Sequence, residues 1–154
     1  MLLEYSLVHA TAFRPTRANP SDAGLDVYYS AKADGLHQAL TLSPGQSKVI
    51  PTGLRFGVPH GYMLEAKNRS SVAAKRGLLV GACVIDSGYD GEVFINLHNV
   101  GAVTQTIEVG TKIAQLVLVP VVHFRAQESA DGELYRYPIT MSGRGAGALG
   151  STDK

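Results

Sequence analysis

Residues 83–99, CVIDSGYDGEVFINLHN, are two apolar runs joined by a turn rich in aspartate and glycine. Apolar runs of strand length on either side of such a turn are typical of a β-hairpin. Comparable runs lie between glycines and prolines along the rest of the chain, at 5–9, 25–29, 48–58, 62–68, 78–86, 92–99, 105–109 and 112–122. Many short strands separated by turns predict an all-β fold, either a sandwich or a closed jelly roll.

Two segments add detail to this prediction. The run at 112–122 is apolar on both faces, so we expect it to be a central strand or to lie at an interface. The stretch SSVAAKRG at 70–77 predicts one short helix, with Ser70 or Ser71 as its N-cap and Gly77 just after its end. No second stretch carries a helical pattern.

The composition is that of an ordinary globular protein, with 154 residues, 45% apolar and 18% charged. Apolar periodicity fades near residue 126, which predicts a β-domain over 1–125 and an extended, mobile segment over 126–154. The formal net charge of +1 argues against a broad electrostatic attraction for nucleic acid or membrane. Neither a signal peptide nor a bilayer-length apolar run is evident, so we expect a cytoplasmic or other intracellular location.

Cysteine and histidine give no sign of a metal centre held by the protein. Cys83 is the only cysteine, which excludes a disulfide framework and a thiolate cluster. The five histidines are scattered without a metal-binding spacing. Groups of aspartate, arginine and serine suit a Mg²⁺-nucleotide better, because the phosphates themselves hold most of such a metal.

Several polar residues occupy positions that suit catalysis or ligand binding. Asp86 follows an apolar strand directly and either deprotonates a water or caps the turn. Tyr89 either forms a wall for a sugar or base or packs on the hairpin. Asp26 lies inside an apolar strand and therefore needs a partner, for which Arg69 or Arg144 is suitable. Arg69 also precedes the predicted helix beside Ser70, as a phosphate cradle or as a plain cap.

Near its C-terminus the chain reads GAGALG at 145–150, the G-x-G-x-x-G spacing of a dinucleotide-binding loop. That interpretation fails because only four residues follow, too few for the helix that such a loop must open. Two alternatives remain open: a glycine-rich disordered tail, and a flexible arm that closes on an anionic ligand. In the second, Arg144 supplies charge while Ser151 and Thr152 supply hydroxyls.

Taken in order, five stretches resemble the five motifs of the trimeric dUTP pyrophosphatase (dUTPase) family. They are AGLDVYYS at 23–30, NRSSVAAKRG at 68–77, GACVIDSGYDG at 81–91, GTKIAQLV at 110–117 and RGAGALGST at 144–152. The resemblance implies a distorted jelly-roll, or β-clip, fold and a homotrimer with active sites at subunit interfaces. It also implies Mg²⁺-dependent hydrolysis of dUTP to dUMP and pyrophosphate, which keeps uracil out of DNA and supplies dUMP for dTMP synthesis.

The resemblance also implies a role for each matching residue. Asp86 matches the acid that activates the attacking water, and Tyr89 matches the residue that packs against the deoxyribose. Asp26 matches an acid that supports the metal and arginine network. The other implied substrate contacts are Arg69, Ser70, Ser71, Cys83, Val84, Ile85, Gln115, Arg144, Leu149, Gly150, Ser151 and Thr152. No direct protein ligand is expected for Mg²⁺, which the triphosphate and water would hold.

Departures from the family pattern leave other possibilities open. Leu149 stands where the family arm usually has an aromatic residue, which predicts weaker arm closure, and Cys83 replaces a usual glycine. One alternative is a dCTP deaminase-like enzyme of the same fold. Asn96 aligns with the catalytic glutamate of that family, however, and a neutral amide cannot shuttle protons. Another alternative is a regulatory protein in which a bound nucleotide orders the arm and so creates a surface for a protein partner.

Overall fold

The computed structural model describes residues 1–31, 39–132 and 134. These residues contain eleven strands and one helix. In chain order the elements are β1 (Glu4–Leu7), β2 (Leu25–Tyr28), β3 (Leu40–Leu42), β4 (Ser47–Pro51), β5 (Leu54–Gly57), β6 (Tyr62–Lys67), α1 (Ser70–Arg76), β7 (Leu78–Val80), β8 (Val84–Ile85), β9 (Phe94–Asn99), β10 (Gln105–Ile107) and β11 (Lys112–Pro120). The prediction of an all-β fold with one short helix is confirmed.

The strands pair antiparallel in four small sheets. The larger two have the strand orders β2-β11-β6-β8 and β4-β9-β7, and the pairs β1-β5 and β10-β3 form the others. β11 lies between β2 and β6, which confirms that the last apolar run is a central strand. Ile113, Ala114 and Leu116 of this strand pack in the hydrophobic core and are each at most 1% exposed.

A single hydrophobic core draws on all four sheets. Val27, Leu64 and Leu116 come from the four-stranded sheet, while Ile50 and Ile95 come from the three-stranded one. Each of these side chains is at most 1% exposed. Burying one such side chain contributes about 1.5–3 kcal/mol, so this core is the main source of stability.

The predicted hairpin over 83–99 is wrong, because β8 and β9 belong to different sheets. β8 pairs with β6, whereas β9 pairs with β4 and β7. The turn itself exists: the Tyr89 amide donates to the Asp86 carbonyl, and Gly88 has a φ of 86°. Beyond the turn, the Val93 amide bonds the Leu54 carbonyl, which ties the chain to a different partner. The local sequence correctly predicts the turn, but long-range contacts determine which strands pair with each other.

Two predicted runs are interrupted and one strand was missed. The run at 48–58 breaks into β4 and β5 at Gly53, whose φ is 68°. The run at 78–86 breaks into β7 and β8, which pair in different sheets. β3 has only three residues, too few to show an alternating pattern.

α1 begins and ends as its sequence predicts, except at the N-cap. The N-cap is Arg69 and lacks a side-chain hydrogen bond, so the prediction of Ser70 or Ser71 in that role is wrong. Both serines belong to the first turn of the helix itself. Gly77 is left-handed, with a φ of 62°, and its amide bonds the carbonyls of Ala73 and Val72, which is a common helix ending.

The chain divides into one unit spanning Met1–Val122 and a second spanning His123–Lys154. In the described part of the second unit, the Gly132 amide bonds the Ser129 carbonyl in a turn. The predicted arm residues Arg144, Leu149, Gly150, Ser151 and Thr152 lie outside the described residues. No helix within the described residues has the length and apolar character needed to span a bilayer.

Candidate active site

A cleft of about 360 Å³ brings together most of the residues predicted to lie beside an anion. We call it the Arg69 cleft. Its lining residues are Ala18, Asp22, Ala23, Gly24, Asp26, Arg69, Ser70, Ser71 and Gln115. Three elements shape it: β2 supplies Asp26, β11 supplies Gln115, and the start of α1 supplies the two serines. Three stretches that are far apart in sequence therefore meet in one cleft, as the family resemblance implies.

Asp26 is held between two cations at one wall of this cleft. Arg69 donates from Nε to its Oδ1, and Lys112 donates from Nζ to its Oδ2, each at 2.8 Å. The side chain of Asp26 is only 13% exposed. The expected pairing of Asp26 with Arg69 is thus present in the structure. Lys112 was not anticipated, because its approach depends on how β11 is registered against β2.

The ammonium of Lys112 stays charged throughout the neutral range. Its hydrogen bond to Asp26 is the main cause that raises its pKa, and partial desolvation opposes this effect. Because folding raises this pKa, the pairing stabilises the fold in neutral solution, where ordinary lysine and aspartate side chains are both charged. That contribution is lost as the pH rises through the raised pKa of Lys112 in the folded protein.

Gln115 enters the cleft only because residue 24 is glycine. Its Nε2 donates to the Asn68 carbonyl at 2.8 Å, so the amide is fixed at the start of the helical segment. A methyl group at Gly24 would come within 1.9 Å of Gln115 Oε1. The role of Gly24 could not be predicted from the sequence, because the close approach occurs between the residue before β2 and a side chain of β11.

A second cleft, of about 240 Å³, forms around Asp86. We call it the Asp86 cleft. Its lining residues are Val84, Ile85, Asp86, Tyr89, Glu92, Val93 and Phe94. Asp86 is exposed and directly follows β8, as its sequence predicts. A carboxylate open to solvent at the mouth of a cleft can accept a proton from a water molecule.

Aromatic side chains form part of the Asp86 cleft. Tyr89 is 47% exposed and its hydroxyl donates to the Glu92 carbonyl at 2.8 Å, which orients its ring. Phe94, the first residue of β9, is also 47% exposed. Phe94 was missed in the sequence, where it resembled any other apolar strand residue. Aromatic faces of this kind suit a flat base or the apolar face of a sugar.

Of the three residues predicted to contact substrate at the start of β8, two line the Asp86 cleft. These are Val84 and Ile85. Cys83 is half-buried, packs against the core, and accepts a hydrogen bond from the Ala66 amide at its carbonyl, at 2.7 Å. The Cys83 carbonyl is therefore already used within the chain.

The two clefts have no lining residue in common. The Arg69 cleft carries the guanidinium and hydroxyl groups, and the Asp86 cleft carries the solvent-exposed acid and the aromatic faces. Within residues 1–31, 39–132 and 134, no three His, Cys, Asp or Glu side chains come close enough together to hold a metal ion. Asn96, the residue relevant to a deaminase, bonds His98 at 2.6 Å and lines neither cleft.

Comparison with known proteins gives a consistent result. The family model described as dUTPase matches residues 10–145. The deoxyuridine 5'-triphosphate nucleotidohydrolase of Gloeobacter violaceus is 40% identical over 117 residues, covering 75% of this chain and 76% of that protein. The protein of the same name from Rhizobium leguminosarum bv. trifolii is 37% identical over 145 residues, covering 88% of each.

Solved structures show the same relationship in three dimensions. A mutant dUTPase of Staphylococcus bacteriophage 80alpha with dUpNHpp matches with a TM-score of 0.81 at 25% identity, covering 98% of each chain. A mutant dUTPase from phage phi11 of S. aureus, described with a structural Mg(II) ion, matches with a TM-score of 0.74 at 26% identity. That match covers 84% of this chain and 97% of the phage protein.

Proposed function

This chain belongs to the dUTPase family, and we propose that it hydrolyses dUTP to dUMP and pyrophosphate with Asp86 as the general base. The observation that carries the assignment of the base is the position of Asp86, exposed at a cleft that also presents the rings of Tyr89 and Phe94. This reaction keeps uracil out of DNA and supplies dUMP for dTMP synthesis.

The Arg69 cleft suits the phosphate side of the substrate. Attack at the α-phosphorus builds negative charge on phosphate oxygens, so donors and cations arranged in advance lower the barrier. Arg69, Ser70, Ser71 and Gln115 are donors on this cleft's wall. Asp26 holds Arg69 by its Nε, which fixes the orientation of the guanidinium before a ligand arrives.

The Asp86 cleft suits the nucleoside side and the attacking water. The carboxylate of Asp86 would take the proton from that water as it attacks the phosphorus. Tyr89 would pack against the deoxyribose, and Phe94 would add an apolar face beside it. Val84 and Ile85 would complete the wall on which the base rests.

We propose that the active enzyme is a homotrimer in which clefts from different subunits meet. In support of this, the two sets of groups that the reaction needs line separate clefts of one chain. The arm residues Arg144, Leu149, Gly150, Ser151 and Thr152 would close over the bound nucleotide. Such closure would exclude bulk water and complete the charge around the phosphates. Control of a protein partner by the bound nucleotide stays a prediction that depends on the same arm.

Mg²⁺ fits this site as a companion of the triphosphate. No cluster of three metal-ligating side chains occurs in the described part of the chain, so most of the ligands would have to be phosphate and water oxygens. When bound, Mg²⁺ would supply positive charge against the phosphate oxygens. Asp26 would support this arrangement indirectly through Arg69.

A direct test is the release of pyrophosphate from dUTP, dCTP, dTTP and UTP under identical conditions. We expect dUTP to be preferred over dCTP by at least about a hundredfold, because a site built to hydrogen-bond one base edge rejects a mismatched one. Since dTTP and UTP present the same base edge as dUTP, the walls of the Asp86 cleft would have to exclude the 5-methyl group of the first and the 2′-hydroxyl of the second. Release of ammonia from dCTP would instead indicate the deaminase chemistry and would contradict the proposal.

A further inference from the structure

Lys112 contacts a residue of the Arg69 cleft without lining the cleft itself. Its Nζ lies 2.8 Å from Asp26 Oδ2, on the carboxylate oxygen that Arg69 does not bind. The residues that line the cleft include Asp26 and Arg69 but exclude Lys112. Lys112 therefore reaches Asp26 from outside the cleft.

The fold confines the ammonium of Lys112 to this position. The register between β11 and β2 shifts between Lys112 and Ala114, which places Lys112 opposite Tyr28 at the start of the strand. Its Nζ lies 5.8 Å from the centroid of the Tyr28 ring, within the range of a cation–π contact. That ring is itself fixed, since it stacks on Phe13 and its hydroxyl bonds Thr16 at 2.5 Å.

The geometry of a guanidinium explains why the second oxygen matters. An arginine can bind a carboxylate through two parallel N–H bonds, which use both carboxylate oxygens. Here Arg69 donates from Nε to Asp26 Oδ1, and Lys112 donates from Nζ to the other oxygen, Oδ2. Without Lys112, Asp26 could bind a second nitrogen of Arg69 and make that nitrogen unavailable to a ligand.

We propose that Lys112 is a positioning residue that keeps the η nitrogens of Arg69 available for phosphate by occupying Asp26 Oδ2. The inference rests on the proposed function in one respect, namely that the ligand of the Arg69 cleft is a polyphosphate. The charges agree with it: Asp26 and Arg69 together sum to zero, and the ammonium of Lys112 leaves the group with a net charge of +1. The raised pKa of Lys112 means that this charge persists at neutral pH.

The test compares Lys112→Met, Lys112→Arg and the control Lys75→Met, which removes the same charge from an exposed position late in α1. In Lys112→Met we expect the KM for dUTP to rise about tenfold, as loss of one charge-assisted hydrogen bond would produce. We expect kcat to stay within about twofold, because the contact that is lost would contribute equally to the ground state and the transition state. Lys112→Arg can still occupy Oδ2, so its KM should return to within about threefold of the wild-type value.

Titration with tripolyphosphate by calorimetry separates this inference from the proposed function. A wild-type protein that binds tripolyphosphate about tenfold more tightly than Lys112→Met supports the inference even if dUTP is not hydrolysed. An unchanged KM with a lowered melting temperature would show that Lys112 is merely structural. Failure of Lys112→Arg to restore KM, or no binding of tripolyphosphate by the wild type, would also overturn the inference.

Discussion

Replacing Asp26 by asparagine should destabilise the protein by about 2 kcal/mol. The carboxylate accepts two charge-assisted hydrogen bonds at 2.8 Å, and such bonds contribute about 1.5–3 kcal/mol each. Solvent screens part of this, because the Arg69 and Lys112 side chains are 26% and 34% exposed. An asparagine keeps one acceptor oxygen but turns an N–H group toward the other cation. The loss should therefore be close to that of one full bond.

Thermal unfolding followed by circular dichroism measures this effect. For a chain of this size, about 2 kcal/mol lowers the melting temperature by about 4–8 °C. All variants need the same protein concentration, because assembly would shift the apparent stability. The matched control is Asp22→Asn, an exposed cleft residue that bonds only Asn19 within the described residues. A Tm for Asp26→Asn equal to that of the control would refute the reasoning.

Three further substitutions test other contacts. Gly24→Ala should displace Gln115 from the cleft and raise the KM for dUTP about fivefold, measured by pyrophosphate release. Its control, Gly57→Ala, has no neighbour closer than 3.9 Å and should leave KM unchanged. Phe94→Ala should raise the KM about tenfold, since a base stacked on an aromatic ring gains about 1–3 kcal/mol. Asn99→Ala should cost about 3 kcal/mol in denaturant unfolding, because its buried amide makes three hydrogen bonds, one to the end of β3 and two to the loop that follows β9.

Each of these predictions has a clear contrary result. Unchanged KM in Gly24→Ala would show that Gln115 does not contact the phosphates. A Phe94→Ala enzyme with wild-type KM for dUTP would place the base elsewhere. A loss below about 1 kcal/mol in Asn99→Ala would mean that water replaces the buried bonds at little cost.

Local signals in the sequence predicted the elements better than their partners. The turn after Asp86 and the left-handed Gly77 both follow from residue types whose conformational preferences act over a few positions. The pairing of β8 with β6 depends on contacts between residues about twenty positions apart, which no local pattern encodes. The hairpin prediction failed for that reason.

The candidate site also combines features that local sequence predicts with features that depend on long-range contacts. The need of Asp26 for a cationic partner could be predicted, because a carboxylate in an apolar strand is costly to bury alone. The second partner, Lys112, depends on a register shift in β11. The space for Gln115 depends on a close approach between β11 and the residue that precedes β2. Such features appear only when the strands are assembled. Phe94 likewise becomes a candidate substrate contact only because the fold places it in the Asp86 cleft.

The most direct test of the central claim is the rate of pyrophosphate release from dUTP by Asp86→Asn. A general base contributes about 10²–10⁴-fold, so kcat should fall by about a thousandfold while dUMP still binds with near wild-type affinity. Asp90→Asn is the matched control, since Asp90 lies four residues on with its side chain 93% exposed, and its kcat should stay within about twofold of wild type. An Asp86→Asn enzyme that releases pyrophosphate at the wild-type rate would contradict the account.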